Sequence, residues 1–477
     1  MCGRTQMKLS ILLKSIDRMC KTQDAQITVI TDDSRKCTEN SIFVCRDSAV
    51  EYVSDAQNRK AAAIIAESEV CDGCIVVENA AQAYSTLCRC FFDYPDEKLK
   101  IMAVTGTNGK TTVASMVSHI MEMNGRKCGL FSTVVNKTVT EEASQMTTSD
   151  SFEFNRMLSE LVDNQIGYCA IEASSQGLDE ERLFGVNFDI AVLTNISRDH
   201  LDYHETFENY KNAKKKLFKN SRLSVINYDD ACKDEFIQSA SGRVLTYSTK
   251  DNEADFTAKS IRISESGIDY ALVANSLIHR IKLDLRGDFN VENSMAATIC
   301  AMQWGLSLDE CAAALRTFSA VKGRLEVVDA EADFKVIIDY AHTPDGLRRV
   351  LLSLGRICSG RLIVVFGCGG DRDKGKRQEM GKIAANSADM VIITSDNPRT
   401  EPSLEIIDEI LCGTSKSRTP IYVKENRREA IKFALSKAGK NDIVLLAGKG
   451  HEAYQIIGEE KFNFDEREEV RQIINNR

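Results

Sequence analysis

Residues 104–112 read Val-Thr-Gly-Thr-Asn-Gly-Lys-Thr-Thr, directly after the apolar run 101–104 and before an amphipathic stretch. That order predicts a strand, a glycine loop and a helix start. Gly106 and Gly109 let backbone N–H groups turn toward phosphate oxygens, and the helix N-terminus adds its partial positive charge. Lys110 is placed to reach the terminal phosphates of a nucleoside triphosphate, and the Thr111 hydroxyl can ligate Mg²⁺. Only Thr107 and Asn108 separate the glycines, so the loop is two residues shorter than the general phosphate-binding pattern. With Thr112 completing the run, the segment is read as binding and using ATP.

Three further constellations follow. Glu172 ends the strand-like run 168–171, where a carboxylate near a phosphate loop can hold Mg²⁺, although a plain loop carboxylate fits as well. Residues 194–204, Thr-Asn-Ile-Ser-Arg-Asp-His-Leu-Asp-Tyr-His, place His200 and His204 beside Asp199 and Asp202 in a chain with 6 histidines. Ligand-capable side chains so crowded after a strand suggest metal and phosphate work, against the alternative of a solvated loop. Over 207–218 a helical period aligns Phe207, Tyr210, Leu217 and Phe218 on one face with Lys214 among them, while Lys211 and Lys215 fall elsewhere and are expected in solvent. An inward lysine must pair, deprotonate, snorkel or be modified, because an unpaired buried ammonium is costly.

The elements that must position these residues come from a chain of 477 residues, too long for one core. Hydrophobic residues make up 43% and charged residues 27%, as expected for a soluble globular protein, and the net charge of −9 favours neither nucleic acid nor an anionic membrane surface. No apolar segment reaches membrane-span length, and residues 1–21 lack a continuous apolar leader core, so a cytoplasmic protein is expected. The 16 cysteines are scattered through apolar runs and read as small buried hydrophobes. Cys71-Asp72-Gly73-Cys74 has no second pair at zinc spacing and is read as a hairpin or loop turn.

Three stretches differ in character: 1–98, mixed α/β; 99–326, opening on the glycine loop; and 327–477, where short β runs alternate with helices. In the second, strands are expected near 169–173 and 188–194 and helices near 207–218 and 293–304. The helix after the loop carries Val113, Met116, Val117, Ile120 and Met121 at helical spacing and stops at Gly125. In the third, strands are expected at 336–340, 362–366, 390–394, 421–423 and 443–446. Strand–helix alternation means a parallel sheet flanked by helices, so three α/β domains in a row are predicted.

Taken together, the glycine loop, Ser197-Arg198-Asp199-His200-Leu201-Asp202-Tyr203-His204, Leu285-Arg286-Gly287-Asp288-Phe289-Asn290, Asp339-Tyr340-Ala341-His342-Thr343-Pro344 and Gly448-Lys449-Gly450-His451-Glu452 resemble the Mur ligases of peptidoglycan synthesis, essentially end to end. The resemblance implies a three-domain architecture: a UDP-sugar domain, a central P-loop ATPase domain and a C-terminal Rossmann-like domain for the incoming amino acid. It implies two Mg²⁺ ions, carbamylation of Lys214 by CO₂, and metal ligation by Thr111, Glu172, His200 and the Lys214 carbamate, with Lys110 on the ATP phosphates. Asn290 and Asn293 would lie by the adenine, and Arg324 and Asp339 near the phosphates and ribose. Ser34 would touch the uridine nucleotide, while Thr147, Thr148, Ser174 and Arg182 would hold the muramoyl-dipeptide of the acceptor UDP-MurNAc-L-Ala-D-Glu. Asp396-Asn397-Pro398-Arg399 resembles the signature of members that add meso-diaminopimelate, with Arg372, Gly448 and Glu452 as further contacts. A monomer is expected.

Arg399 can fork two N–H groups onto a carboxylate, and diaminopimelate carries a far-end carboxylate that lysine lacks. Without it the arginine would be left unpaired, which is how such a site rejects lysine. The sequence departs from the family at Gln176, where His is usual, at Ser149 for Pro, at Glu205 for Gly, and at Glu401-Pro402, where an acidic residue usually intervenes. A lysine-adding ligase and a paralogue with another acceptor remain the neighbouring readings. A nucleotide switch leaves the inward lysine unexplained. A dinucleotide oxidoreductase built on Gly367-Cys368-Gly369-Gly370 lacks an acidic ribose reader.

Overall fold

The computed structural model describes residues 6–20, 24–274 and 277–476, so part of the 1–21 stretch lies outside it. Among the described residues three larger sheets follow one another along the chain, with two two-stranded ones beside them. The first has the parallel strands Val29–Thr31, Ser41–Val44, Ala63–Ala66 and Ile75–Val76, covered by the amphipathic helix Ala80–Phe91. Ala63–Ala66 and Ile75–Val76 run parallel, which removes the hairpin reading of Cys71–Cys74. That segment is instead a loop turn in which the Cys74 N–H donates to the Cys71 carbonyl at 3.1 Å and Gly73 supplies φ 76°. Among the described residues no disulfide joins two cysteines.

The second sheet has eleven strands. Its centre runs Cys128–Phe131, Tyr168–Glu172, Lys100–Thr105, Phe188–Leu193, Ser221–Asn227 and Arg243–Ser248, all parallel. These short Val/Ile/Ala runs are buried on both faces, one face by the helices Lys110–Met123 and Phe289–Gln303, the other by Ser151–Asp163 and Phe207–Lys219. Val113, Met116, Val117, Ile120 and Met121 are all fully buried, as their spacing predicts, and Gly125 follows the helix end with φ 72°.

The third sheet orders Glu326–Val328, Lys335–Asp339, Ile443–Ala447, Leu362–Phe366, Met390–Ile393 and Ile421–Val423, parallel except for its first strand. The α/β class and the five expected strands of this region are borne out, with ends shifted by a residue or so. Among the described residues no helix is long and apolar enough to cross a membrane.

Candidate active site

Parallel sheets expose the carboxyl ends of their strands to ligands, because the chain leaves each strand there before crossing back by a helix. In the central sheet three neighbouring strand ends converge. Lys100–Thr105 delivers the glycine loop, Tyr168–Glu172 delivers Glu172, and Phe188–Leu193 delivers Thr194, Asn195 and the segment to His204. The loop is laced in place: the Asn108 N–H donates to Asn195 Oδ1 at 3.0 Å, and Thr194 Oγ1 donates to the Asn108 carbonyl at 2.6 Å. Gly109 sits at φ 90°, and a Cβ there would come within 2.5 Å of Asn293 Oδ1, so only glycine fits.

Two lysines meet at this loop. Lys110 Nζ donates to the carbonyls of Gly106 and Thr107 at 2.8 and 2.9 Å. Lys214 Nζ, on the helix Phe207–Lys219, donates to the same Gly106 carbonyl at 2.9 Å and to Thr105 Oγ1 at 3.3 Å, and lies 4.7 Å from the Tyr210 ring centroid. Lys214 is 1% exposed and has no carboxylate in ion-pair contact among the described residues. Burial, followed by repulsion from Lys110, pushes its amine well below the ordinary lysine range. Lys110 is also lowered by burial, against the pull of Glu172 and Asp199.

The same helix corrects two expectations. Lys211 is not solvated: it is 7% exposed and bridges Glu208 at 2.8 Å and Glu235 at 2.7 Å. Lys215 likewise pairs with Glu235, at 2.5 Å. Phe207, expected inward, is 36% exposed at the first helical position.

Glu172 is buried, and its carboxylate accepts from the Thr133 N–H at 2.7 Å and the Thr133 hydroxyl at 3.0 Å. Thr111 Oγ1 accepts from Arg324 at 3.0 Å, and the Arg324 guanidinium stacks on Tyr340 at 4.6 Å. Asp339 is tied down by the N–H groups of Leu325 and Ala341 at 2.7 and 2.8 Å, and burial raises its pKa against the pull of Arg324. His200 takes a left-handed backbone, φ 52°, with its ring 3.4 Å from Asp199. Burial opposes ionisation of Asp199, but His200, His342, Lys376 and Lys110 outweigh it and lower its pKa. Asn290 and Asn293 lie one helical turn apart, joined at 2.9 Å, with Asn293 against Gly109.

The expected acceptor residues form a second group. Thr148 Oγ1 donates to the Glu172 carbonyl and receives the Ser174 N–H and hydroxyl, both at 3.0 Å; Thr147 accepts from Thr133 at 3.1 Å. Arg182 reaches the Thr148 carbonyl at 2.7 Å and forks onto Glu180, which also receives Gln176 Nε2 at 2.9 Å. Ser34 is buried in the first α/β unit, with its hydroxyl close enough to Asp55 to lower that carboxyl's pKa.

The third group occupies strand ends of the last sheet. Asn397 Nδ2 donates to Glu452 at 2.9 Å, and Lys449 Nζ bridges Asn397 Oδ1 at 3.0 Å and Glu452 at 3.2 Å. Asp396 lies 3.7 Å from buried Arg427; Lys449 and Arg427 hold it low despite burial, whereas burial raises Glu452 against Lys449. Gly448, φ 111°, leaves no room for a side chain beside Asp396. Arg399, φ 53°, follows Pro398 and donates to the Gly370 carbonyl at 2.7 Å. Arg372 reaches across to Asp202 at 3.6 Å and Arg198 to Asp373 at 3.3 Å, joining the third group to the His200 segment.

Sequence reasoning assigned no role to Lys449, Thr133, Asn195 or Arg427. Lys449 alone carried a signal, a lysine between glycines at a strand end. The others matter through partners distant in sequence.

Residues 104–301 match the Mur ligase middle domain and residues 323–450 the Mur ligase, glutamate ligase domain. The UDP-N-acetylmuramoyl-L-alanyl-D-glutamate--2,6-diaminopimelate ligase 1 of Clostridium acetobutylicum is 39% identical, covering 98% of this chain and 99% of its own length. The correspondingly named ligase of Listeria monocytogenes is 38% identical, with 98% of each covered. A solved structure of a UDP-N-acetylmuramoyl-L-alanyl-D-glutamate--2,6-diaminopimelate ligase superposes with a TM-score of 0.71 at 35% identity, covering 98% of this chain and 99% of that one. At 20% identity a Thermotoga maritima ligase solved with ADP shares the fold, TM-score 0.65 over 94% of this chain and 97% of its own. With such relatives matching along almost its full length, the chain belongs to the Mur ligase family.

Proposed function

We propose that this chain is an ATP-dependent ligase that joins meso-diaminopimelate to UDP-N-acetylmuramoyl-L-alanyl-D-glutamate through an acyl phosphate, in cytoplasmic peptidoglycan precursor synthesis. Residues 1–98 take the UDP-sugar, 99–326 ATP and 327–477 the amino acid, and the enzyme works as a monomer. The observation that carries the reading is Lys214, a buried amine held on the carbonyl of a phosphate loop with no carboxylate partner among the described residues. An amine kept neutral by its surroundings is the form that attacks CO₂; as the N–C bond forms, one C=O π bond opens and the nitrogen sheds a proton, leaving an oxygen-bearing anion.

Thr111, Glu172 and a Lys214 carbamate would offer Mg²⁺ the oxygen donors it prefers, and His200 would add a ring nitrogen. Bound there, Mg²⁺ supplies charge neutralisation on the phosphates. In the first step a terminal acceptor carboxylate oxygen attacks the ATP γ-phosphorus, and the bond to ADP breaks. Lys110, held over the loop, balances charge on the transferring group, so catalysis is chiefly positioning and electrostatics. In the second step the amine of the amino acid attacks the acyl carbon, phosphate leaves and the nitrogen sheds a proton. Thr147, Thr148, Ser174 and Arg182 orient the acceptor, and Arg399, Arg372, Asp396, Asn397, Gly448 and Glu452 orient the amino acid. Contacts such as Arg372 with Asp202 draw the C-terminal unit over the site and keep water from the acyl phosphate.

The test is phosphate release from ATP and Mg²⁺ with UDP-MurNAc-L-Ala-D-Glu, comparing meso-diaminopimelate with L-lysine, and product mass. Release with diaminopimelate alone supports the reading. Release with lysine alone makes Arg399 a bystander, and release with neither turns attention to Gln176 and another acceptor.

A further inference from the structure

We propose that Arg377, which lies outside the expected contacts, is a positioning residue that sets the pocket's preference for a second carboxylate by acting through Glu401. The inference rests on the reading of Arg399 given above.

Arg377 lies in the helix Gly375–Ser387 and is 0% exposed. Its Nη1 and Nη2 grip the two Glu401 oxygens at 3.0 and 2.8 Å, a fork that fixes direction as well as distance. Glu401 in turn accepts the Asp371 N–H at 2.6 Å. Asp371 closes the loop back by accepting the Thr400 N–H at 3.2 Å and its hydroxyl at 2.8 Å. The Gly370 N–H donates to the Asn397 carbonyl at 2.9 Å, and Arg399 Nη1 donates to the Gly370 carbonyl at 2.7 Å. One buried guanidinium therefore clamps the loop that carries Arg372 onto the loop that carries Arg399.

The backbone indicates why a clamp is needed. Asp371 and Arg399 both hold φ 53°, in the left-handed region. A residue with a Cβ stays there only where its surroundings over-determine it. Both strained residues belong to the two loops that Glu401 joins. Gly370 packs so closely that a Cβ would run into the Pro398 carbonyl oxygen. Glu409 provides an internal comparison. It receives the same guanidinium at 3.1 Å but is 42% exposed at its side chain and joins neither loop.

The test compares R377K, E401Q and E409Q with the unaltered protein, measuring kcat and KM for meso-diaminopimelate and for L-lysine, and KM for ATP and the acceptor. R377K keeps the charge but loses the fork. The expected result is at least a tenfold fall in the diaminopimelate-to-lysine ratio of kcat/KM for R377K and E401Q. That fall should come from KM for diaminopimelate, with ATP and acceptor KM unchanged and E409Q like the unaltered protein. Should R377K fail to fold, E401Q at the pocket rim carries the test. E401Q shifting the ratio no more than E409Q overturns the inference and leaves the diaminopimelate reading standing. No preference for diaminopimelate in the unaltered protein removes that reading and the inference with it.

Discussion

The glycine loop and the proposed amino-acid pocket sit at the carboxyl ends of parallel strands, yet they are built from different materials. At the loop, backbone does the binding: Lys110 and Lys214 rest on main-chain carbonyls, and Gly109 is fixed by the lack of room for a Cβ. In the pocket, side chains hold side chains, through Asn397 with Glu452, Lys449 with both, and Arg427 beside Asp396. A backbone site recognises what every ATP shares. A side-chain site can be re-tuned one residue at a time, which suits the step where relatives must choose among amino acids.

The sharpest way to break the comparison is Lys214→Ala. If that amine becomes an essential carbamate, ligation falls by on the order of a thousandfold, the scale of losing a preorganised electrostatic group, and excess bicarbonate does not restore it. A ¹³C-bicarbonate-derived carbamate signal should be present in the unaltered protein and absent from the variant; full retained activity would refute the carbamate assignment. Next comes Arg399→Met, in the pocket. Losing a charge-assisted fork costs about 2–3 kcal/mol, so KM for diaminopimelate should rise roughly 30- to 150-fold while KM for ATP stays put. A change in ATP KM of similar size would mean that the two regions are not separable. Gly109→Ala tests the loop in reverse: left-handed strain of about 1–3 kcal/mol should lower thermal stability and weaken ATP binding, leaving the diaminopimelate-to-lysine ratio untouched.

The same contrast explains what the sequence disclosed. The glycine loop was legible because strand, loop and helix are contiguous, and the inward Lys214 because helical period is local. Lys211 was misread because one of its two partners, Glu235, comes from the next helix, Lys233–Ser239, which covers it and which no period over 207–218 can reveal. The Cys71–Cys74 turn was open to a hairpin reading because strand direction is a tertiary fact. Pocket residues emerged only through family resemblance, since Asp396, Gly448 and Arg372 follow three different strands. Arg377 stayed hidden because its chief partner, Glu401, lies 24 positions away.

The smallest effect distinguishes the regions by the pH window in which each changes stability. The Arg377 fork, chiefly, lowers the Glu401 pKa from 4.5 to about 2, against the opposing effect of burial, with the Asp371 N–H and Lys374 adding to the fork. A carboxylate depressed on folding contributes stability that is complete above its unfolded value and is lost as pH falls through the folded one. Denaturant unfolding should therefore give a gap between the unaltered protein and E401Q that is constant around neutral pH. The gap should then shrink between 4.5 and about 2. Lys214, uncarbamylated, has the same sign in a different window: its pKa is lowered from 10.5, so the unfolded chain binds more protons and stability rises as pH climbs toward that value, as it does for Glu401 in acid. Replacing Lys214 by Met should remove that rise. A gap for E401Q that stays flat into acid would mean that Glu401 is not held as an anion by Arg377, and the pocket would lose the clamp that sets it apart from the loop.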